Sequence, residues 1–258
     1  MEQIALFNFF ATHVPMDGVT LSLLASLGTG VGAMPILFTS QLSEWWPPLL
    51  LSVGSGVMLS AAACSLLMPA WELAQAGMSP GLGLGAIAAA AAVGALCFYR
   101  IEQVLPQPDL EQNSQAQHIW LFIFAIALHH LPEGLAIGVS TASAHNTGLA
   151  LGVALQNVPE GLMVALALRQ LGYGVGFALT LATMSGWLEP LGGVLGVTLV
   201  GLGTNLAPIS MASAAGAMLF VVFHELLPQI DLKTFNSSGS VGLVAGVVMM
   251  GMVERLLG

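Results

Sequence analysis

Eight blocks of the chain, approximately residues 18–40, 49–70, 82–100, 119–141, 147–168, 175–200, 209–228 and 240–257, are apolar over nearly their whole length. About 20 such residues, each rising roughly 1.5 Å, cross the ~30 Å hydrocarbon layer of a bilayer as a helix. In lipid every backbone polar group must be satisfied within the protein, so the expected fold is an all-α integral membrane bundle of eight transmembrane helices. Charge agrees with this, because the 258 residues include only 4 Lys or Arg and 13 Asp or Glu, 7% in all. A soluble domain carries about a quarter. Four basic residues cannot neutralise the phosphates of a duplex, so nucleic acid is set aside as a partner and the lipid bilayer takes its place. The net charge of −9 favours cationic ligands. The longest connection, 101–118, leaves no room for a second domain, and residues 1–258 read as one membrane domain.

The opening stretch, MEQIALFNFF, has neither a basic region nor a small-residue cleavage site, so it does not read as a removable signal peptide. Arg100, Arg169 and Lys233 fall in the connections after spans three, five and seven, whereas Arg255 alone lies near the opposite side. The positive-inside bias therefore predicts that both termini are extracytoplasmic. Trp45, Trp46, Trp71 and Trp120 fall near span ends, as an aromatic belt requires, and Trp187 is the mid-span exception. Cys64 and Cys97 lie within spans and read as small packing residues, not a disulfide framework. Glycine pairs such as Gly81 and Gly85, Gly148 and Gly152, Gly192 and Gly196, and Gly242 and Gly246 permit close helix contacts.

The chemistry is concentrated at the middle of spans four, five and six. Span four reads ALHHLPEGLAIG, span five reads ALQNVPEGLMVA, and span six contains SGWLEPLGG. In the first two, His129 and Gln156 stand four residues before Glu133 and Glu160, and His130 and Asn157 stand three before, so each set shares one helical face. A carboxylate at the bilayer centre costs about 2.5–3.5 kcal/mol. Three of them, Glu133, Glu160 and Glu189, need a compensating partner that packing does not provide. Carboxylate oxygen with imidazole nitrogen is the ligand set of first-row divalent metals, and one dication offsets two buried carboxylates. Proton or organic-cation chemistry and a closed hydrogen-bond network are the competing explanations. Each glutamate also adjoins a proline, which removes a backbone donor and predicts a free carbonyl at Leu128, Leu155 and Gly186.

With these motifs in place, the chain resembles the ZIP (Zrt/Irt-like) family of divalent metal transporters, nearest its prokaryotic GufA-like branch, over essentially its whole length. The resemblance implies transport of zinc as substrate, and often cadmium, iron or manganese, into the cytoplasm by alternating access. Spans one, four, five and six would move against two, three, seven and eight. It implies primary ligands His129, Glu133, Gln156 and Glu160, a neighbouring position completed by Glu189, and a site-facing Met58. Further implications are entrance residues Glu72 and Glu254, exit residues Glu102, His224 and Glu225, a homodimer, and a prokaryotic inner membrane.

The sequence departs from the family pattern at two positions. His130 stands where many members have asparagine, and neutral Asn157 where a binuclear site has aspartate. His130 is either an added nitrogen ligand or a hydrogen-bonded helix-contact residue. Loss of a carboxylate at Asn157 favours one tightly held metal per protomer. His224-Glu225 is not a metalloprotease signature, since Pro228 stands where the second histidine would be. A membrane-embedded di-metal oxidase or hydrolase and a metal-conducting channel are the alternative functions. The sparse histidines within spans argue against the enzyme.

Overall fold

The computed structural model describes residues 17–39, 43, 45–104, 115–144, 147–203, 206–230 and 238–257, and the regular structure among them is entirely helical. The amino-terminal stretch, Lys233 and most of the 101–118 connection lie outside the described residues. Span one is Gly18–Ala33 with a tight turn Met34–Leu37, and the Asp17 carboxylate caps it by accepting from the Thr20 amide at 2.7 Å. Span two runs Trp46–Gly77, span three Pro80–Val104, span four Gln115–Ala144 and span five Gly148–Gln170. Span seven starts as an α-helix at Ala207–Val221, and span eight is Ser238–Leu257.

Span six departs from the continuous helix expected over 175–200. It is two helices, Val175–Ser185 and Leu188–Gly201, parted at Gly186-Trp187. Pro190 has no amide to give the Gly186 carbonyl, and glycine holds a helix poorly. The chain tightens there, with Trp187 N–H donating to Met184 O at 3.0 Å and Glu189 N–H to Gly186 O at 3.1 Å. The Gly186 carbonyl is therefore satisfied, contrary to the expectation of a free one. Pro132 and Pro159 remain inside unbroken helices.

The spans pack in four pairs: one with five, four with six, two with eight, and three with seven. Each pair joins spans of like direction, so partners run parallel. Their backbones nearly touch. A Cβ added at Gly134 or Gly192 would strike span-four or span-six backbone across the pair, and one at Gly161 would strike the Thr29 carbonyl of span one. Gly242 and Gly246 meet span two in the same way, whereas Gly81 and Gly85 face open space. Cys64 and Cys97 are exposed among the described residues, where the sequence reading expected buried packing positions. Trp187 is also exposed, at 63%.

The apolar interior falls into two clusters. We call the side where span one begins the near face and the side where it ends the far face. The larger cluster joins spans one through five, seven and eight: its buried members from spans one, four and five, such as Leu21, Ile137 and Val153, lie on the near side, while spans two, three and seven carry it on to the far side through Leu51, Phe98 and Leu226. On the far side Ile36, Ile126, Val164, Leu168 and Ala182 form a separate core confined to spans one, four, five and six. The two groups of spans are thus fused by apolar packing chiefly above the mid-membrane site, on its near side.

Candidate metal centre

Spans four and five deliver their motifs to one buried point. His130, Glu133 and Glu160 each offer a ligand atom, and these atoms lie within 4.8 Å of one another. All three residues are buried, Glu160 being the most accessible at 6%. His130 has a defined orientation. Its Nδ1 lies 2.8 Å from the Ile126 carbonyl, which can only accept, so Nδ1 carries the ring proton. The lone pair on Nε2 then points at Thr29 Oγ1, 3.2 Å away, with Glu160 Oε2 at 3.8 Å.

Gln156 links the glutamates, its Nε2 donating to Glu133 Oε1 and, at 3.1 Å, to Glu160 Oε1. Asn157, one residue on, faces a different partner set. Its Nδ2 donates to the Ala25 carbonyl of span one at 3.0 Å and to Glu189 Oε2 of span six at 2.7 Å. Glu189 therefore adjoins the cluster through an amide, in place of a second carboxylate.

The residues fit a cation. Glu133 Oε2, Glu160 Oε2, Glu189 Oε1, Gln156 Oε1 and Asn157 Oδ1 are all buried with no hydrogen-bond partner. Five unpartnered oxygen acceptors together with one imidazole lone pair make the site electron-rich, and burying acceptors without donors is costly. A divalent metal satisfies several at once, and oxygen with imidazole suits zinc and its first-row neighbours.

The remaining sequence candidates separate by place. His129, implied as a primary ligand, turns to span seven, with Nε2 2.9 Å from Glu225 Oε2 and a buried, unpartnered Nδ1. Met58 is fully buried in the larger apolar core, one turn beyond Gly54, and a Cβ at Gly54 would lie 3.5 Å from Gln156 Cγ. Glu72 is exposed and Glu254 half-buried, both toward the near face. Toward the far face, His224 and Glu225 sit on a π-helical segment, Val222–Leu226, with the exposed His224 ring stacked on Phe220 at 4.9 Å. Such segments recur at functional sites because the extra residue per turn re-aims side chains. Glu102 lies in span three at the same end, and its side chain is outside the described residues.

Two groups at the site escaped the sequence reading. Thr29, in the run LGTGVG of span one, provides the hydroxyl at His130, and its only signal was a lone polar side chain between glycines. The His129–Glu225 pair joins residues 96 apart in sequence, which no local spacing could show.

Comparison with known proteins places this arrangement in a family. The family model described as ZIP Zinc transporter matches residues 106–254. The chain is 36% identical to Zinc transporter GufA of Myxococcus xanthus over 93% of its own length and 99% of that protein's. It is 39% identical to Zinc transporter ZIPB of Bordetella bronchiseptica, over 89% of this chain and 78% of the relative. With Zinc transporter ZupT of Escherichia fergusonii the identity is 33% over 90% and 93%. Seven described helices are long and apolar enough to cross a membrane, and span six adds its two shorter pieces. The chain is a multi-pass membrane protein, and it belongs to the ZIP zinc transporter family.

Proposed function

We propose that the protein carries divalent metal, zinc first, across the membrane, holding one ion per protomer between His130, Glu133 and Glu160. The observation that carries this reading is the convergence of these three ligand atoms within 4.8 Å at mid-bundle, among buried oxygens that lack donors. The relatives' names supply zinc, and a site of mixed oxygen and nitrogen donors would also take cadmium, iron or manganese. Membership in a transporter family sets aside the embedded oxidase or hydrolase.

The division of the apolar core supports a reading of alternating access. The larger core joins both groups of spans on the near side of the site, while on the far side spans one, four, five and six pack among themselves. This arrangement closes the near face and directs the ion to Glu225 and His224 at the far end. The positive-inside bias of Arg100, Arg169 and Lys233 makes that end cytoplasmic, so transport runs inward, with Glu72 and Glu254 at the entrance and Glu102 at the exit. In this reading His129 leaves the site to pair with Glu225 in the present state, and Met58 belongs to the seal. Glu189 with Asn157 forms a weaker neighbouring position. The bacterial relatives favour an inner membrane, and the family resemblance a homodimer.

Zinc and cadmium uptake into liposomes holding the purified protein, compared with Glu160→Ala, tests the proposal. Saturable uptake that the substitution abolishes is expected. Uptake linear in concentration would indicate a channel, and uptake unaffected by the substitution would overturn the site.

A further inference from the structure

The hydroxyl of Thr29 faces the one nitrogen that the proposed carrier must release from its cargo. His130 Nδ1 is committed to Ile126 O, so its ring cannot present a second N–H while neutral, and Nε2 is an acceptor only. Thr29 Oγ1 at 3.2 Å is the group that satisfies it, because the other near neighbour, Glu160 Oε2 at 3.8 Å, has no proton to give as a carboxylate. Both side chains are fully buried. The hydroxyl also occupies a fitted space, since a Cβ at Gly186, at the break in span six, would come within 2.8 Å of Thr29 Oγ1.

We infer that Thr29 is the exchange partner of the metal at His130: its O–H occupies the Nε2 lone pair when the ion leaves and gives it up when the ion binds. The displaced hydroxyl keeps a partner. A helical threonine can turn back to the carbonyl four residues earlier, here that of Ala25, which still has a lone pair beside the Asn157 amide it accepts. Span one thereby meets both ends of the cluster, His130 through the Thr29 side chain and Glu189 through Ala25 O and Asn157. Without the hydroxyl, the metal-free site would hold an unsatisfied buried acceptor while the metal-bound site would lose little. Thr29 is thus a positioning residue that weakens the hold on the ion and hastens its release.

This role presupposes that His130 Nε2 binds the cation. The test uses the full chain, with zinc affinity measured by calorimetry and uptake measured in liposomes. Thr29→Val, which keeps the shape, is expected to tighten zinc binding about fivefold or more, near the low end for one unsatisfied acceptor. KM and maximal uptake should fall together, Thr29→Ser should restore both, and Thr29→Val should have no effect on affinity in a His130→Asn background. A merely structural threonine would give weaker binding or lower thermal stability with KM unchanged, and either result overturns the inference. If His130→Asn leaves affinity unchanged while Glu160→Ala abolishes it, the carrier stands and the role of Thr29 falls. If Glu160→Ala also binds normally, both fall.

Discussion

Spans four and five carry the same A-L-polar-polar-x-P-E-G-L motif, yet the structure directs equivalent residues to unlike partners. The first polar residue of span four, His129, leaves the cluster for Glu225, whereas its counterpart in span five, Gln156, bridges the two glutamates. The second, His130, faces Thr29 and Glu160, whereas Asn157 ties Ala25 to Glu189. Adjacent positions on a helix point about 100° apart, so one motif serves two neighbours. Which neighbour each residue meets depends on what packs beside it. Span four lies between spans six and seven, span five against spans one and two. In the proposed site the imidazole ligand of span four is therefore the second polar residue, His130, in place of the first.

The comparison breaks most severely if the glutamates are not equal partners. Glu133→Ala and Glu160→Ala should each reduce zinc uptake by more than the ~100-fold upper range for losing an outer-shell partner. Glu189→Ala, next to an amide and outside the trio, should cost less than either, read as initial rates in liposomes. The helix pairs should respond alike: Gly134→Ala drives a Cβ into the Glu189 backbone, and Gly161→Ala into the Thr29 carbonyl. Each should lower stability by about 1–3 kcal/mol, measured by thermal unfolding in detergent. Asn157→Asp sharpens the contrast by returning a carboxylate to span five, and should raise bound zinc from one to two per protomer by elemental analysis. Glu225→Gln is the mildest change. It weakens the His129 pair, so turnover should fall a few-fold while zinc affinity holds.

Much of this was legible in the chain because lipid simplifies the problem. Apolar length reports a span directly, and a carboxylate at mid-span has few inexpensive explanations. Glu133, Glu160 and Glu189 could therefore be singled out without a structure. The break in span six was half legible: Pro190 announced a lost hydrogen bond, but the Gly186 carbonyl found the Glu189 amide by local tightening. The partners of His129 and His130 were beyond sequence, since both sit on the motif face and what they meet is Glu225 of span seven and Thr29 of span one. Spacing within a helix fixes the direction of a side chain, not what waits there.

The most direct test of the central claim compares zinc affinity in His129→Asn and His130→Asn, measured side by side on purified protein. With the ion held by His130, Glu133 and Glu160, His130→Asn should weaken binding about 10–100-fold. His129→Asn should bind nearly as the parent does. The reverse order would contradict the account and return the imidazole ligand to His129.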